Sequence, residues 1–388
     1  MATEYLKLHA QNPEYGKTSL RLLGYVLPLL EDLNAKRVLD FGCGKGALGK
    51  KLQSLGYDVS FYDPYVPEFA KDPEGQFDAV LCTDVMEHIP ESELNGVLEA
   101  IASKSANVLF VISLTFADAL LSDGSNAHYT IKPPAWWQQR LAPYFSNVTE
   151  VPTRQDTAVG YTSWAPKNDT VAQISQHRKL ERRAAKRSEL YNRPLREIGS
   201  YLLERKKLSA LADLTKGKSV ALVGNAKSLR EKSLGGEIDA HDVVIRLNRG
   251  PIMSTEISGQ KTTVLATSIP ISMGLFKQRG CELALWLTPK RKKFPLWFLK
   301  KKYNCAVFPK SHHKALSRTI GSRPTSGVMA LHSVLDGEPS QVTLFGFDGF
   351  ASGSLSSDMT AEQAPHDFVS EQTYIDQLVE RLPFLTRA

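Results

Sequence analysis

The sequence contains little cysteine and no long apolar segment. Its 388 residues include four cysteines, and no two of them are spaced as a C-x-x-C pair. Neither a disulfide framework nor a zinc site is therefore indicated. No run reaches the roughly 18 to 20 apolar residues that a membrane-spanning helix requires, and the first residues lack the basic and apolar regions of a secretion signal. We therefore expect a cytoplasmic protein.

The composition is that of an ordinary folded protein with a basic excess. Hydrophobic residues make up 42% of the chain and charged residues 23%, and the chain is longer than one typical core supports. Two domains are therefore expected. The net charge of +7 is concentrated in residues 177–207 and 290–302, which should attract an anionic partner.

Apolar runs alternate with helix-like segments in the N-terminal half. Runs that predict strands occupy residues 37–41, 58–62, 77–82 and 107–113. Helices are predicted between them at residues 46–55 and 91–103, which gives a βαβ series and hence a parallel sheet. A helix over 133–145 and a strand pair within 147–162 complete the expected first domain, residues 1–168.

A basic helical linker, residues 169–215, is expected to follow. Its segment 171–207 is rich in Arg, Lys, Glu, Leu and Ala, with a break at Pro194. The strand pattern then restarts, which predicts a second α/β domain over residues 216–388. Its strands are predicted at residues 219–223, 243–247, 262–266, 283–287, 306–308 and 342–346, and its helices near 327–335 and 370–382.

The first predicted strand ends in a glycine-rich turn. Asp40 is followed by Gly42, Gly44 and Gly46, whose missing Cβ atoms would let a ligand approach the backbone beside a helix N-terminus. Nicotinamide and flavin nucleotides also bind at such turns, but they prefer G-x-G-x-x-G, in which the third glycine comes one residue later than here. The turn alone does not name its ligand.

Three segments together resemble the class I S-adenosylmethionine-dependent methyltransferases. They are residues 38–46, Asp63 at the end of the second strand, and residues 77–89. The resemblance implies S-adenosylmethionine as cofactor, with Asp40 near its methionine moiety and Asp63 at its ribose hydroxyls. The implied cofactor-binding residues are Asp40, Gly42, Gly44, Asp63 and Asp84. The alternatives are a tight turn without a ligand for the glycines and a helix cap for Asp84.

Methyl transfer to a hydroxyl needs aligned reactants and a base. His88 and His128 are the candidate bases, and a surface histidine is the alternative for His88. Trp136 and Trp137 follow His128 in the region where acceptor-binding segments lie in this fold. They therefore predict either a sugar-stacking wall or a helix packed on the sheet.

Motifs in the C-terminal half resemble those of the animal-type sialyltransferases. Residues 220–229 with 238–250 resemble the large sialyl motif of that family, and residues 323–331 with 342–348 resemble its small motif. The resemblance implies transfer of an acidic nine-carbon sugar from its cytidine monophosphate ester to a glycan hydroxyl, with inversion at the anomeric carbon.

The same resemblance implies roles for single residues. The very small motif, H-x-x-x-x-E, fits His366 and Glu371. His366 would remove the acceptor proton as the catalytic base, and Glu371 would orient a helix or His366. The implied substrate-binding residues are Asn225, Asn248, Ser326 and Gly327. Their alternatives are turn and helix-start roles. Arg246 and Arg249 would pair with the donor carboxylate or with neighbouring acids.

The absence of any D-x-D sequence agrees with a donor of this kind. Sugar diphosphates usually need a divalent ion held by such a pair, whereas a monophosphate leaving group can be stabilised by hydrogen-bond donors alone. No metal is expected.

The large-motif cysteine of the animal enzymes is replaced by Ala221, and the small-motif position falls among residues 338–340. The missing disulfide favours a reducing compartment, and the donor sugar could be sialic acid or 3-deoxy-octulosonic acid.

The two resemblances together predict a bifunctional glycan-modifying enzyme. The expected fold is α/β, with two Rossmann-like domains: a class I methyltransferase fold and then a GT-A-like sialyltransferase-type domain. The expected partner is a glycan or glycolipid, not a nucleic acid.

The lysine-rich segments 290–293 and 300–302, with Trp297 to Leu299 between them, predict either peripheral contact with an anionic membrane or a solvated basic face. The alternatives are that one domain alone is active, or that the chain is a non-catalytic anion-binding adaptor.

Overall fold

Two separate α/β units make up the chain. The computed structural model describes residues 5–7, 18–117, 121, 125–205, 209–250, 252–355, 362 and 364–388. Residues 206–208 of the expected linker lie outside this set. The first unit extends to residue 185 and the second begins at residue 186.

The first unit is a mostly parallel sheet with helices packed on it. Its helices are α1 (Leu23–Asp32), α2 (Ala47–Gln53), α3 (Leu94–Lys104) and α4 (Pro134–Leu141). Its strands are β1 (Arg37–Phe41), β2 (Asp58–Tyr62), β3 (Ala79–Thr83), β4 (Val108–Ser113), β5 (Thr149–Val151) and β6 (Ala158–Thr162). They are ordered β2-β1-β3-β4-β6-β5, with β1 to β4 parallel and β6 antiparallel to both neighbours.

Burial on both faces explains why the central strands are continuous apolar runs. Every residue of β3 is buried, and separate hydrophobic clusters cover the two faces of the sheet, one containing Leu98 and Trp137 and the other Leu30 and Leu52. The predicted α/β fold with a parallel core is therefore confirmed for this half.

Three helices follow the first sheet, in the region expected to be a linker. They are α5 (Asn168–Tyr191), α6 (Arg193–Arg205) and α7 (Ser209–Thr215). The first break falls at Asn192, and Pro194 is the second residue of α6, where a helix needs no backbone N–H donor. Within the first unit α5 is held by Tyr25, whose hydroxyl donates to Glu181 at 2.8 Å.

The second unit contains a seven-stranded sheet in the described residues. Its strands are β7 (Ser219–Val223), β8 (Val243–Leu247), β9 (Val264–Thr267), β10 (Leu283–Trp286), β11 (Cys305–Val307), β12 (Gln341–Phe345) and β13 (Leu385–Arg387). Its further helices are α8 (Gly235–Ala240), α9 (Thr255–Ser258), α10 (Met273–Gln278), α11 (Lys310–Ile320), α12 (Ser326–Leu335) and α13 (Phe368–Arg381). The order is β11-β10-β9-β8-β7-β12-β13, and every pair is parallel.

The aromatic residues between the two lysine-rich segments belong to the core of the second unit. Phe298 is buried against Trp286 and Phe294, and the indole N–H of Trp297 donates to the carbonyl of Ile271 at 2.9 Å. The hypothesis that these side chains meet a membrane is therefore wrong for Phe298, whereas Trp297 is only half-buried and Leu299 is exposed. No helix in the described part of the chain has the length and apolar character to cross a bilayer.

Arg291, which the sequence groups with the surface lysines, is also buried. Its Nη2 donates to Glu204 of α6 at 3.0 Å and to the carbonyl of Phe308 at 3.0 Å. Glu204 in turn accepts the N–H of Lys310, at the start of α11, at 2.8 Å. One carboxylate therefore fixes α6 to two other segments of this unit.

We predict that Glu204→Ala lowers the free energy of unfolding by about 3 kcal/mol, because it leaves the buried guanidinium of Arg291 without its carboxylate. The control is Glu197→Ala, which breaks the exposed pair between Glu197 and Arg193 in the same helix and should change stability little. Urea denaturation of the full chain measures both. Equal losses in the two variants would contradict a special role for Glu204.

Candidate active sites

The glycine turn after β1 has the backbone geometry that requires glycine. Gly42, Gly44 and Gly46 have φ angles of +70°, +55° and +70°, which other residues rarely adopt. A Cβ on Gly42 would also lie 2.3 Å from Cγ2 of Val85. Packing against Val85 is thus sufficient to explain glycine at position 42, so that glycine by itself is not evidence for a cofactor.

Two buried carboxylates lie at this turn. Asp63 follows β2, and its oxygens accept the backbone N–H of Gly44 at 2.8 Å and of Tyr65 at 2.9 Å. Asp40 lies in β1 and accepts the N–H of Gly49 at 3.1 Å. Burial, with a smaller contribution from the charge of Asp63, raises the pKa of Asp40 to about 7.

Asp84 lies after β3 at the same end of the sheet. Its φ of +56° is unusual for a residue with a side chain, and its Oδ2 is 2.8 Å from Nη2 of Arg21. One oxygen of the Asp84 carboxylate, which the resemblance assigns to cofactor binding, is therefore in an ion pair with Arg21.

Glu87, which the sequence interpretation left without a role, lies between Asp84 and the two candidate bases. It is fully buried, and burial together with the nearby Asp84 raises its pKa well above the usual range. One ligand atom from each of Glu87, His88 and His128 lies within 4.8 Å of the others. The ring centroids of His88 and His128 are 4.6 Å apart. The signal available in the sequence was a carboxylate directly before His88.

Of the two tryptophans, Trp137 is a core residue. It has no exposed surface and packs in the cluster that covers one face of the sheet. Trp136 is partly buried, and the Nζ of Lys132 lies 5.0 Å from its ring centroid. The packing interpretation is therefore the right one for Trp137, and a sugar-stacking role can apply only to Trp136.

The second unit contains a cavity of about 420 Å³ at the carboxyl ends of its strands. Its lining includes the four predicted substrate-binding residues and the predicted base of this unit: Asn225, Asn248, Ser326, Gly327 and His366. They come from four separate parts of the sequence. Sequence reasoning missed other lining residues, among them Ser268 and Phe350, because nothing in their own segments marks them, and it gave no separate role to Phe347 of the small motif.

Both asparagines occupy turns directly after strands. The Nδ2 of Asn225, after β7, donates to the carbonyl of Leu247 at 3.2 Å. Asn248, after β8, has a φ of +58°, and its Oδ1 accepts the N–H of Ser268 at 3.0 Å. These backbone contacts hold the two carboxamide groups at the lining of the cavity.

The first residues of α12, Ser326 and Gly327, line the same cavity, and the first turn of a helix carries backbone N–H groups without intrahelical partners. Thr325 caps this helix, and the hydroxyl of Ser326 donates to that of Ser268 at 2.7 Å. A Cβ on Gly327 would lie 2.8 Å from Cε1 of Phe347. The small residue therefore lets the Phe347 ring approach the helix end.

His366 and Glu371 perform different tasks beside α12. The Nδ1–H of His366 donates to the carbonyl of Arg323 at 2.9 Å, which leaves the lone pair on Nε2. Burial lowers the pKa of His366 below its usual value. Glu371 accepts the N–H of Thr325, so it orients α12, and burial raises its pKa to about 7.

Arg246 is a structural residue. It is fully buried, and it donates to the carbonyls of Lys261 at 3.0 Å and Ser258 at 2.7 Å. Its partners are backbone carbonyls and a threonine hydroxyl, so the expectation that it pairs with a donor carboxylate or a neighbouring acid is wrong.

Comparisons with known proteins divide the chain in the same way. Residues 10–185 match the family model described as "Methyltransferase domain", and residues 172–280 match "Glycosyltransferase family 29 (sialyltransferase)". The two-part resemblance is confirmed. The second match ends before the small and very small motifs, so the roles assigned to Ser326, Gly327 and His366 stay predictions.

Individual relatives cover parts of the chain. The ubiquinone biosynthesis O-methyltransferase of Bordetella avium (strain 197N) is 32% identical over 125 residues, 26% of this chain and 48% of the relative. The chain thus spans about half the length of the curated relatives it matches. A mammalian sialyltransferase in complex with Gal-beta-1-3GalNAc-ortho-nitrophenol aligns at 18% identity and a TM-score of 0.34, over 46% of this chain and 71% of its own.

A solved methyltransferase aligns with the other half. The 1,6-didemethyltoxoflavin-N1-methyltransferase of Burkholderia thailandensis, with bound 1,6-didemethyltoxoflavin and S-adenosylhomocysteine, is 18% identical at a TM-score of 0.29. The alignment covers 39% of this chain and 81% of that one.

We predict that Asp40→Asn changes the pH dependence of stability. The raised pKa of Asp40, about 7 when folded against about 3.9 when unfolded, makes the folded state bind the proton more tightly. The contribution of Asp40 to the free energy of unfolding therefore falls as pH rises from about 4 to about 7 and is constant above that. Asparagine keeps an acceptor for Gly49 and removes this dependence.

The measurement is urea denaturation of both proteins at pH 5 and pH 8. The free energy of unfolding of Asp40→Asn, relative to that of the native protein, should be higher at pH 8 than at pH 5, by a few kcal/mol at most. An identical difference at both pH values would contradict a buried Asp40 carboxyl.

Proposed function

We propose that this protein is a bifunctional glycan-modifying enzyme. The C-terminal domain (residues 216–388) would transfer an acidic keto sugar, of the sialic acid or 3-deoxy-octulosonic acid type, from its cytidine monophosphate ester to a hydroxyl of a glycan or glycolipid. The N-terminal domain (residues 1–168) would methylate that glycan, and residues 169–215 would connect the two. The observation that carries the proposal is the convergence of Asn225, Asn248, Ser326, Gly327 and His366 on one cavity.

The N-terminus of α12 is the proposed position of the donor phosphate. Free backbone N–H groups and the partial positive charge of a helix N-terminus favour an anion. Ser326 supplies a hydroxyl there, and Asn248 supplies amide donors from the neighbouring strand end. Such donors can stabilise a leaving phosphate without an ion, in keeping with the absence of a D-x-D sequence.

His366 is the proposed catalytic base. Its Nδ1–H is committed to the carbonyl of Arg323, so Nε2 can accept a proton from the acceptor hydroxyl. As the proton leaves, the hydroxyl oxygen would bond to the anomeric carbon of the donor, and the bond from that carbon to the phosphate oxygen would break. Cytidine monophosphate would then depart with the phosphate charge at the end of α12.

For the N-terminal domain we propose S-adenosylmethionine as the methyl donor. The residues present fit that group: Asp63 is fixed by two backbone N–H groups, and its oxygens retain lone pairs for a ribose diol. Asp40, Gly42 and Gly44 lie at the same turn, and Asp84 ends the neighbouring strand. His88 and His128 would activate the acceptor hydroxyl.

The exposed lysines of the second unit are the proposed contact for an anionic surface. Arg291 and Phe298 are buried, so the proposed contact would be mainly electrostatic, through Lys290, Lys292, Lys293, Lys300, Lys301 and Lys302. A polyanionic glycan or the inner face of a membrane would supply the negative charge for this contact. A cytoplasmic location stays a prediction.

We predict that His366→Ala lowers sugar transfer by about 10²- to 10⁴-fold, the range expected for loss of a general base, while cytidine monophosphate binding stays within about twofold. His332→Ala is the control, because His332 lies in the same unit and does not line the cavity. Calorimetry with cytidine monophosphate and a transfer assay measure the two effects. Unchanged transfer by His366→Ala would refute the assignment.

We predict that Asp63→Ala weakens S-adenosylmethionine binding at least about tenfold, because a hydrogen bond to a charged group contributes about 1.5 to 3 kcal/mol. Asp58→Ala, at the exposed start of the same strand, should bind normally. Both variants should still be stabilised by cytidine monophosphate in a thermal-shift assay. If neither ligand stabilises the native chain, the non-catalytic adaptor becomes the better account.

A further inference from the structure

An unassigned cluster of ligand-type side chains lies at the carboxyl end of β3 and β4 in the first unit. We propose that Glu87, His88 and His128 bind a divalent first-row metal ion. A carboxylate and two imidazoles are a donor set that suits such ions, zinc among them. This departs from the expectation, drawn from the sequence, that no metal binds.

Glu87 contains a buried oxygen that has no partner among the described residues. Oε1 of Glu87 accepts the N–H of Ser113 at 3.0 Å, whereas Oε2 has no hydrogen-bond partner among the described residues and no contact with solvent. Leaving a buried carboxylate oxygen unsatisfied is costly. A cation bound beside it would satisfy that oxygen.

Backbone carbonyls orient the two histidine rings. The Nδ1 of His88 is 2.7 Å from the carbonyl of Ala127, and the Nδ1 of His128 is 2.6 Å from the carbonyl of Thr115. A carbonyl can only accept, so both rings carry their proton on Nδ1 and their lone pair on Nε2. Donation of one ring nitrogen to a backbone carbonyl is the arrangement that orients metal-binding histidines in proteins.

Hydrogen bonds hold the cluster together without an ion. The N–H of Thr130 donates to the carbonyl of Glu87 at 3.0 Å, and its hydroxyl donates to the carbonyl of Ile89 at 2.6 Å. These bonds fix the segment that carries His128 to the turn that carries His88. Ligand atoms that bind one ion at about 2.1 Å lie up to about 4 Å from one another. The ligand atoms of Glu87, His88 and His128 lie within 4.8 Å of one another, so a shift of less than about 1 Å would bring them to that spacing.

The role of the ion rests on the proposed methyl transfer. A divalent cation lowers the pKa of a hydroxyl that it binds. The acceptor hydroxyl would lose its proton to solvent, and its oxygen would bond to the methyl carbon as the bond from that carbon to sulfur breaks, giving a methyl ether and S-adenosylhomocysteine. With the metal ion bound, His88 and His128 would position the acceptor and would not take its proton.

The test is a zinc titration of the metal-free full chain against a chromophoric chelator, without S-adenosylmethionine. The native protein should compete for Zn²⁺, and Glu87→Gln and His128→Ala should each weaken binding by at least about 100-fold, since loss of even an outer partner of a ligand costs about 10- to 100-fold. The control is His332→Ala, which alters the second histidine cluster, His312, His332 and Asp336, and should leave the affinity unchanged.

Three results would overturn the proposal: no competition by the native protein, native affinity in Glu87→Gln, or loss of affinity in His332→Ala alone. X-ray absorption of the zinc-loaded native chain gives a readout that needs no variant, and it should show two imidazole nitrogens. A spectrum with oxygen ligands only would also overturn it. Zinc binding without S-adenosylmethionine binding would leave the metal site intact and refute the methyl-transfer role.

Discussion

The carboxyl ends of parallel strands are the constraint on which both candidate sites depend. Each βαβ crossover returns the chain to the same edge of the sheet, so the residues that follow successive strands meet there. In the first unit this brings Asp63 and Asp84 to the glycine turn, and in the second it brings Asn225 and Asn248 to the end of α12. The chemistry differs between the units because the side chains at that edge differ.

Several of the polar groups at these edges are held by backbone contacts. Asp63 is fixed by two N–H groups, Asn248 by the N–H of Ser268, and His366 by the carbonyl of Arg323. Such fixing sets the orientation of a side chain before a ligand arrives, which limits the reorganisation that binding requires. It also defines which nitrogen of His366 can take a proton.

The pattern of the sequence was sufficient for most strands of the two sheets and insufficient for the contacts between distant segments. The predicted strands at residues 37–41 and 58–62 have the bounds of β1 and β2, because alternation with helix-like segments marks both strands and an apolar, buried run also marks β1. β13 was not predicted, since three residues with two polar side chains carry no periodic signal. The burial of Arg246 and Phe298, and the meeting of Glu87 with His128, depend on tertiary packing that no local pattern encodes.

The central claim is that the cavity of the second unit holds a cytidylyl phosphate at the helix that begins with Ser326. A crystal structure of the chain soaked with cytidine monophosphate tests it most directly. The account predicts the phosphate within hydrogen-bonding distance of the Ser326 hydroxyl and the first backbone N–H groups of that helix, with Nε2 of His366 facing the same space. A nucleotide bound at another surface, or a cavity that stays empty at saturating nucleotide, would contradict it.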